Sequence, residues 1–468
     1  MNDSPHIDRQ LIDALRDEAI REHGATAVEL IETHISWVLL VREWAYKIKK
    51  PVDLGFVDFT TLEKRHRFCQ EEIRLNGRLA PDVYFDVVAI TGPSGTPRIE
   101  GEGEPIEYAV RMKRFPQESL LSHLLERGEL RAAHIDALAR EVAAFHDSIE
   151  SAAPASPFGT PENLRQPVRD NFEHVADSLT DPAVMERVES LRQWSEREWT
   201  AQRDEFARRK EHGAVRECHG DMHLGNIVLL NDRIVIFDCI EFNENLRWID
   251  VISEAAFAAM DLEDRGRAAL AHRFLNAYLE RTGDYEGLAV FRYYAAYRAM
   301  VRAKVAALRG QQSDVDEDER RRLQDELTSY LELAERYAQP GRPLLLITHG
   351  VSGTGKTRGT QRLVDQLGAI RVRSDVERKR LFGLKPQQHS DPQQACDVYS
   401  AESTRRTYTR LRECAETIVK AGLPAIVDAT FLKRHQRDQF CDLARTCSVP
   451  FRILAFHASE ETLRERVA

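Results

Sequence analysis

Two short segments near the middle of the chain carry residue types that suit phosphoryl transfer. His219–Asn226 reads HGDMHLGN, and an apolar hairpin pattern follows it and ends at Asp238. Transfer from a metal-bound triphosphate needs hard oxygen ligands on two sides of the metal and a base near the incoming hydroxyl. The spacing predicts that Asp221 is the catalytic base and that Asn226 and Asp238 bind Mg²⁺. The hairpin pattern disfavours the alternative, in which these side chains only cap turns.

A second phosphate-binding pattern lies at Gly350–Thr357, which reads GVSGTGKT. It follows an apolar strand and precedes a helical segment, which is the context of a P-loop rather than of a flexible glycine loop. Glycines let consecutive backbone N–H groups surround the β-phosphate, while the lysine reaches the β and γ phosphates and the Thr hydroxyl binds Mg²⁺. The predicted nucleotide-binding residues are Gly350, Ser352, Gly353, Thr354, Gly355, Lys356 and Thr357, with Thr357 also a metal ligand.

The bulk composition restricts the class of protein. A length of 468 residues suggests two or three domains, and a formal net charge of -10 provides no basic field for nucleic acid or anionic lipid. No apolar run approaches the roughly 20 residues of a membrane helix, and no signal pattern opens the chain. Seven cysteines without a C-x-x-C pair fit a reducing compartment better than disulfides or zinc. We expect a cytoplasmic protein with no nucleic-acid or membrane partner.

Hydrophobic periodicity predicts an α+β domain followed by an α/β domain. Residues 6–32 have helical spacing that predicts two short helices, and strand patterns then dominate up to about residue 115. Amphipathic helices dominate from about 116 to 338, and a turn-rich linker occupies 339–343. Strands and helices alternate in 344–468, which predicts a parallel sheet with right-handed crossovers.

Several segments resemble a known group of enzymes. His219–Asn226 and Ile236–Asp238 look like the aminoglycoside phosphotransferase and choline kinase branch of the protein-kinase-like fold. More closely, Glu32–Val38, Ala45–Val52 and Arg74–Pro81 resemble a bacterial family of aminoglycoside-phosphotransferase-like proteins fused to a P-loop kinase domain. The resemblance covers nearly the whole chain. It implies a two-lobed kinase-like domain over 1–338 and a P-loop domain over 344–468.

The resemblance also implies a lysine and a glutamate that hold the nucleotide. Lys47 occupies the place of the lysine in the V-A-I-K pattern of kinases, although Lys49 is an alternative because side chains on a strand repeat their direction every two residues. Glu72 on the following helix is the best partner for that lysine, with Glu71 as its rival. An exposed, unengaged charge is the alternative for each of these residues.

One departure from the kinase pattern leaves two functions open. The Gly-rich loop that covers ATP in kinases is absent, and His34–Trp37 stands where it belongs. The leading hypothesis is an ATP- and Mg²⁺-dependent kinase in which each domain binds Mg-ATP and a hydroxyl of a small molecule is the acceptor. The alternative is a catalytically silent kinase-like binding module coupled to a P-loop nucleotide switch.

Two carboxylates are candidates for chemistry in the P-loop domain. Arg373–Arg378 (RSDVER) resembles the acceptor-binding segment of gluconate kinase and the zeta-toxin group, which implies that Asp375 takes a proton from the acceptor and that Arg378 holds an anionic part of it. Asp428 ends a predicted strand at the edge where open α/β sheets bind ligands, and we expect it to contribute to the Mg²⁺ site. Helix capping is the alternative for both.

The carboxyl end departs from the resemblance. Small P-loop kinases usually continue past the fourth strand into an Arg-bearing lid and a fifth strand, whereas this sequence ends at Arg464–Ala468. We therefore expect the P-loop domain to be truncated here, with Arg464 and Arg466 at the start of the lid.

Overall fold

The computed structural model describes residues 9–24, 26, 28–55, 57–179, 181–312, 315–384 and 400–467. Two compact units divide the chain, and each contains segments from two stretches of the sequence. The first runs up to Leu130 and adds Glu217–Ile249, and the second comprises Arg131–Arg216 and everything from Asp250 onward. The domain boundaries predicted at 338 and 344 stay a prediction.

The elements of the amino-terminal half follow in chain order. Before residue 130 they are α1 Arg9–His23, β1 Val28–Glu32, β2 Ser36–Val41, β3 Trp44–Lys49, α2 Leu62–Asn76, β4 Tyr84–Thr91, β5 Arg98–Ile99, β6 Pro105–Lys113 and α3 Leu121–Glu126. Those up to residue 250 are α4 Ala132–Ser148, α5 Pro161–Asp177, α6 Pro182–Glu211, β7 Val215–Glu217, β8 Ile227–Leu230, β9 Arg233–Ile236, α7 Glu244–Arg247 and β10 Trp248–Asp250.

The remaining elements form helices and then a strand–helix alternation. The helices are α8 Val251–Asp264, α9 Ala268–Thr282, α10 Leu288–Gly310 and α11 Glu317–Ala338. The alternating part comprises β11 Leu345–His349, α12 Lys356–Leu367, β12 Ile370–Arg373, α13 Ser374–Leu381, α14 Ala401–Lys420, β13 Ala425–Asp428, α15 Arg434–Thr446, β14 Phe451–Ala455 and α16 Glu460–Val467.

A six-stranded sheet organises the first unit, in the order β1-β2-β3-β6-β4-β5. All neighbouring strands are antiparallel. Alternate apolar side chains of β2 and β3, such as Leu39 and Ile48, are fully buried in a core that also takes the apolar face of α1. Thr61 caps α2 by accepting the Lys64 N–H, and the buried face of that helix carries Glu72 as well as apolar residues.

The prediction of two helices in residues 6–32 is wrong for the second one. Val28–Glu32 is the edge strand β1, which pairs with β2 in antiparallel register. The three-residue spacing of Val28 and Ile31 imitates a helix, but Val28 and Leu30 share the face that packs on the core, as a two-residue period requires. The predicted helical position Ile7 lies outside the described residues, and α1 is described from Arg9.

The second unit contains the predicted parallel sheet, in the order β12-β13-β11-β14. All three strand pairs are parallel, and α12 follows the central strand β11 directly after the P-loop. The antiparallel sheet with helices and the parallel sheet with alternating helices confirm the predicted α+β kinase-like and α/β P-loop fold classes. Among the described helices, none combines the length and the apolar character that crossing a membrane requires.

Candidate active site

The catalytic loop begins with a histidine and a glycine that fix its path. His219 is fully buried, its Nε2–H donates to the Phe237 carbonyl at 2.8 Å, and its Nδ1 accepts the Asp221 N–H at 3.3 Å. Gly220 has φ +90, and a Cβ there would lie 2.7 Å from the Leu246 carbonyl oxygen. Only glycine meets both conditions, so the observed backbone path between β7 and β8 requires glycine at position 220.

The predicted base and one predicted metal ligand lie in direct contact. The Asn226 side chain donates from Nδ2 to both the backbone oxygen and the Oδ2 of Asp221, at 3.0 Å in each case. Because Nδ2 is used in this way, the amide oxygen of Asn226 is the atom that suits a cation. Asn226 is buried, whereas the Asp221 side chain is 34% exposed, so a hydroxyl acceptor has access to the carboxylate.

Asp238 follows the β8–β9 hairpin in a strained conformation. Its φ is +64, in the left-handed region that Asp tolerates better than most residues, and such strain concentrates at functional sites. Its N–H donates to the Tyr84 hydroxyl at 3.2 Å, and the next N–H, of Cys239, donates to the Asn76 Oδ1 at 2.9 Å. Strand β4 and helix α2 therefore hold the backbone on both sides of this carboxylate.

The structure brings Lys47, Glu72 and Asp238 together. The Lys47 Nζ lies 2.5 Å from the Asp238 Oδ1 and 2.8 Å from the Glu72 Oε1. Although burial by itself raises the pKa of Glu72, the charges of Lys47 and Lys49 lower that pKa to about 2. The rival Glu71 instead pairs with Arg74 on the outer side of α2, at 2.9 Å. The geometry favours Glu72 and Lys47 for the roles that the resemblance implies.

Lys49 points to the same face as Lys47 but has different partners. It is 1% exposed, and its Nζ bonds the Glu72 Oε2 at 2.7 Å and a carboxylate oxygen of Glu241. The sequence reasoning missed Glu241, Tyr84 and Asn76. The one signal available for Glu241 was that Lys49 shared the face of Lys47 and had no predicted partner, because a buried charge requires a counter-charge.

A side-chain-pinned turn occupies the place of the Gly-rich loop. Thr33 Oγ1 donates to the Ser36 carbonyl at 3.1 Å and accepts the Ser36 N–H at 3.0 Å, and the Thr33 N–H also donates to the Ser36 carbonyl. The connection between β1 and β2 is therefore tight and contains no glycine.

The P-loop has the backbone geometry that its glycines predict. Gly350, Gly353 and Gly355 have φ of +148, +85 and +84, and a Cβ at Gly350 would lie 2.6 Å from the Phe456 carbonyl oxygen. The Lys356 Nζ donates to the carbonyls of Gly350 at 2.9 Å and Val351 at 2.7 Å. Burial lowers the pKa of Lys356. Of the other two predicted residues, Ser352 is exposed, and the Thr354 hydroxyl donates to the Val351 carbonyl at 2.9 Å.

The predicted metal ligands of the P-loop are also in contact. The Thr357 Oγ1 donates to the Asp428 Oδ2 at 2.6 Å, and Asp428 is 5% exposed at the end of β13. Asp375 lies in the first turn of α13, where Arg373 donates to its Oδ2 at 3.0 Å. Arg373 is the register partner of Asp428, so Asp375 and Asp428 lie near the carboxyl ends of adjacent parallel strands.

Both sets of side chains fit a nucleotide with a bound divalent cation. The first offers amide and carboxylate oxygens beside a lysine that balances the carboxylate charge. The second offers a cradle that a Cβ would fill, together with a hydroxyl–carboxylate pair. These are hard oxygen donors, which Mg²⁺ prefers, beside ammonium groups, which suit phosphate oxygens.

Two parts of the chain match the models of known protein families. Residues 61–291 match the model of the phosphotransferase enzyme family, and residues 345–468 match that of an AAA domain. "Uncharacterized protein Rv2004c" of Mycobacterium tuberculosis (strain ATCC 25618 / H37Rv) is 30% identical over 408 residues, which cover 86% of this chain and 78% of that protein. "Uncharacterized protein Mb2027c" of Mycobacterium bovis (strain ATCC BAA-935 / AF2122/97) matches with the same values.

Solved kinase structures share a partial likeness. Choline kinase from Cryptosporidium parvum Iowa II is 11% identical with a TM-score of 0.43, covering 68% of this chain and 91% of that one. Ethanolamine kinase from Plasmodium vivax is 10% identical with a TM-score of 0.39, covering 65% and 81%. The chain belongs to the family of the mycobacterial proteins, and it is an enzyme whose residues 61–291 match the phosphotransferase family and whose residues 345–468 match an AAA domain.

Proposed function

We propose that this protein transfers the γ-phosphoryl group of ATP to a hydroxyl of a small molecule at the site formed by Asp221, Asn226 and Asp238. The observation that carries the proposal is the convergence of Lys47, Glu72 and Asp238. Lys47 and Asp238 are separated by 191 positions in the chain, yet their charged atoms lie 2.5 Å apart. A lysine for the phosphates, an acidic residue that orients it and two oxygen ligands are the parts that phosphoryl transfer requires.

Each residue has a defined part in the reaction. Asp221 accepts the proton of the acceptor hydroxyl while the hydroxyl oxygen forms a bond to the γ-phosphorus and the bond to the bridging oxygen of ADP breaks. The products are ADP and a phosphate ester, and the proton remains on Asp221 until solvent removes it. Asn226 and Asp238 would hold Mg²⁺, and the bound ion would neutralise charge on the phosphate oxygens.

We also propose that Gly350–Thr357 binds a second Mg-ATP. The three positive-φ glycines and Lys356 support a phosphate cradle, and the Thr357–Asp428 contact supports the metal site. Asp375, near the carboxyl end of the neighbouring strand, is the proposed base for an acceptor at this second site.

Label transfer from γ-labelled ATP to pools of sugars, aminoglycosides and amino alcohols tests the proposal. Lys356→Ala isolates the first site, and Asp221→Asn in that background should reduce transfer by about 10²–10⁴-fold. Asp232→Asn is the matched control, because Asp232 lies in the exposed hairpin turn with φ +60, a conformation that Asn also adopts. Equal activity of the Asp221 and Asp232 variants would contradict the assignment.

The pinned turn at Thr33–Ser36 favours a second candidate, a silent binding module. Without a Gly-rich loop over the phosphates, the first site could hold Mg-ATP without turning it over. Calorimetry of the Lys356→Ala protein separates the two. Mg-ATP binding that Asp238→Ala removes, without label transfer to any acceptor pool, would favour the silent module.

A further inference from the structure

A second buried ion pair lies next to the proposed nucleotide site and has no part in the function described above. Glu241 is 4% exposed, three residues after Asp238, and its carboxylate bonds the Nζ of Lys49. Lys49 is 1% exposed and also bonds the Oε2 of Glu72 at 2.7 Å. The lysine therefore joins the loop that carries Asp238 to the helix that carries Glu72.

The charges of this cluster require one another. Lys47 and Lys49 are positive, and Glu72, Glu241 and Asp238 are negative when ionised. Removing a charge from water costs several kcal/mol, so Lys49 and Glu241 are tolerated in the interior only as partners. Burial lowers the pKa of Lys49, but the carboxylates of Glu241 and Glu72 outweigh burial and place it above its usual value, so Lys49 is charged.

Lys47 and Glu72 already make the one lysine–glutamate contact that holding a nucleotide requires. A second buried lysine and a second buried glutamate therefore need another reason. Lys49 also lies over the Phe59 ring, with Nζ 4.9 Å from the centroid, which further fixes its position.

The loop after β9 shows what the additional pair holds. Asp238 has a strained φ of +64, and its side chain is 43% exposed. The Arg247 Nη1 donates to the Glu241 backbone oxygen at 3.1 Å, so Glu241 is fixed through its backbone as well as its side chain. A residue with a strained backbone conformation keeps a single position only where the surrounding contacts determine it.

We propose that the Lys49–Glu241 pair is a positioning device for Asp238, which fixes the loop from 238 to 241 against strand β3 and thereby sets the affinity of the first site for its divalent cation. This inference rests on the function proposed above. Neither residue touches the nucleotide in this proposal. Their effect passes through the backbone to the position of the Asp238 carboxylate, and partners that act in this way typically change metal affinity by about 10–100-fold when removed.

Titration of Mn²⁺ in the presence of a non-hydrolysable ATP analogue, followed by electron paramagnetic resonance, tests the proposal. The full-length Lys356→Ala protein serves as the background, so that the first site is measured. We expect Glu241→Gln to weaken Mn²⁺ binding by about tenfold or more. Lys49→Met should do the same, and the double variant should be no worse than either single one, because the two residues act as a pair.

Glu107→Gln is the matched control in the same unit. Glu107 is fully buried on β6 and pairs with the buried Arg65 at 2.8 Å, and burial raises its pKa, as burial also raises the pKa of Glu241, so replacement by Gln is a matched change at the two positions. We expect this control to leave Mn²⁺ affinity within about twofold, even if it lowers thermal stability as much as Glu241→Gln does. Equal Mn²⁺ affinities of the Glu241 and Glu107 variants would overturn the positioning role.

Asp238→Ala separates this inference from the proposed function. If the background protein binds Mn²⁺ with the analogue and Asp238→Ala removes that binding, the first site exists and the Glu241 result decides the inference alone. If Asp238→Ala has no effect on Mn²⁺ binding, the proposed function and the inference are both wrong.

Discussion

The two proposed phosphate sites are built in opposite ways. The first depends on side chains from a strand, a helix and two loops, and its charges, Lys47, Lys49, Glu72 and Glu241, are buried against one another. The second depends on one continuous segment, Gly350–Thr357, whose backbone forms the cradle. A charge network links stability to function at the first site, whereas a backbone cradle makes nucleotide binding at the second site sensitive to backbone conformation and makes its folding stability insensitive to the loss of one charge.

Removing one charge from each site gives the largest expected contrast. Glu72→Gln keeps the shape of the side chain but leaves two buried lysines with one fewer counter-charge, so we expect the free energy of unfolding to fall by about 3–5 kcal/mol. Lys356→Ala should change it by about 0.5 kcal/mol or less, because that ammonium donates to two backbone carbonyls at a partly exposed position. Chemical denaturation without nucleotide measures both values, with hydrogen exchange in α2 to locate the loss. Similar losses in the two variants would contradict the contrast.

A substitution that strains the backbone should affect the second site, whereas the loss of a charge affects mainly the first. Gly350→Ala adds a Cβ 2.6 Å from the Phe456 carbonyl oxygen at φ +148, where a side chain is strained whatever the space. Strain of about 1–3 kcal/mol that the loop must take up again to bind phosphate predicts a loss of nucleotide affinity at the second site of roughly 5- to 150-fold. Calorimetry with Mg-ATP in an Asp238→Ala background measures it.

Gly310→Ala is the control for that substitution. Gly310 ends helix α10 in the same unit, and an added Cβ would meet its nearest neighbour, Leu323 Cβ, at 4.0 Å. We expect an unchanged affinity and a neutral or slightly higher stability, because alanine reduces the entropy of the unfolded chain. Unchanged affinity in the Gly350 variant as well would show that the cradle does not depend on its backbone conformation.

The same contrast explains what the sequence predicted. The P-loop occupies neighbouring positions, so its residues, its flanking strand and its helix could all be predicted from one pattern. The first site required contacts between distant segments. The two-residue period of a strand predicted correctly that Lys47 and Lys49 face the same way, but no pattern shows that both are used or that Glu241 completes the pair.

The misassigned strand β1 has a related cause. Val28 and Ile31 satisfy a helical spacing, and the competing strand is stabilised by its pairing with β2, which lies outside any local window. The Asp238 conformation could not be predicted from local sequence either, because its positive φ is maintained by Tyr84 and Asn76 from other elements. Local patterns therefore indicated which residues carry suitable side chains, but they did not indicate the contacts that position those residues.

A smaller effect should show that the second site is not entirely local. Asn276 on α9 donates to the Ala369 carbonyl at 2.7 Å and accepts the Arg371 N–H at 2.8 Å, and so it bonds two backbone groups at the start of the edge strand β12. Asn276→Ala leaves these buried groups without partners, and we expect a loss of about 1–3 kcal/mol. Chemical denaturation and hydrogen exchange of residues 369–373 measure the loss.

Gln324→Ala on the exposed face of α11 serves as the control for Asn276 and should stay within about 0.5 kcal/mol. If Asn276→Ala has as little effect as this control, the parallel sheet is stable without its contact to α9. In that event the structure of the P-loop region, like its sequence pattern, would not depend on residues elsewhere in the chain.

The smallest expected effect is that of a substitution at Glu71, which is next to Glu72, the residue whose substitution has the largest expected effect. Glu71→Gln removes one carboxylate from α2 one position away from Glu72, but Glu71 is partly exposed, pairs with Arg74 one turn further along the helix at 2.9 Å and lies at a longer 3.8 Å from Arg247. Pairs of this kind contribute about 0.2–0.5 kcal/mol, so stability should fall by no more than that.

The KM for ATP should be unchanged in the Lys356→Ala background, whereas Glu72→Gln should raise it because Lys47 loses the group that orients it. Steady-state kinetics on the two variants check this difference. A raised KM in the Glu71 variant, with Glu72→Gln unaffected, would assign the orienting role to Glu71 and would show that burial in the charge network does not identify the functional glutamate.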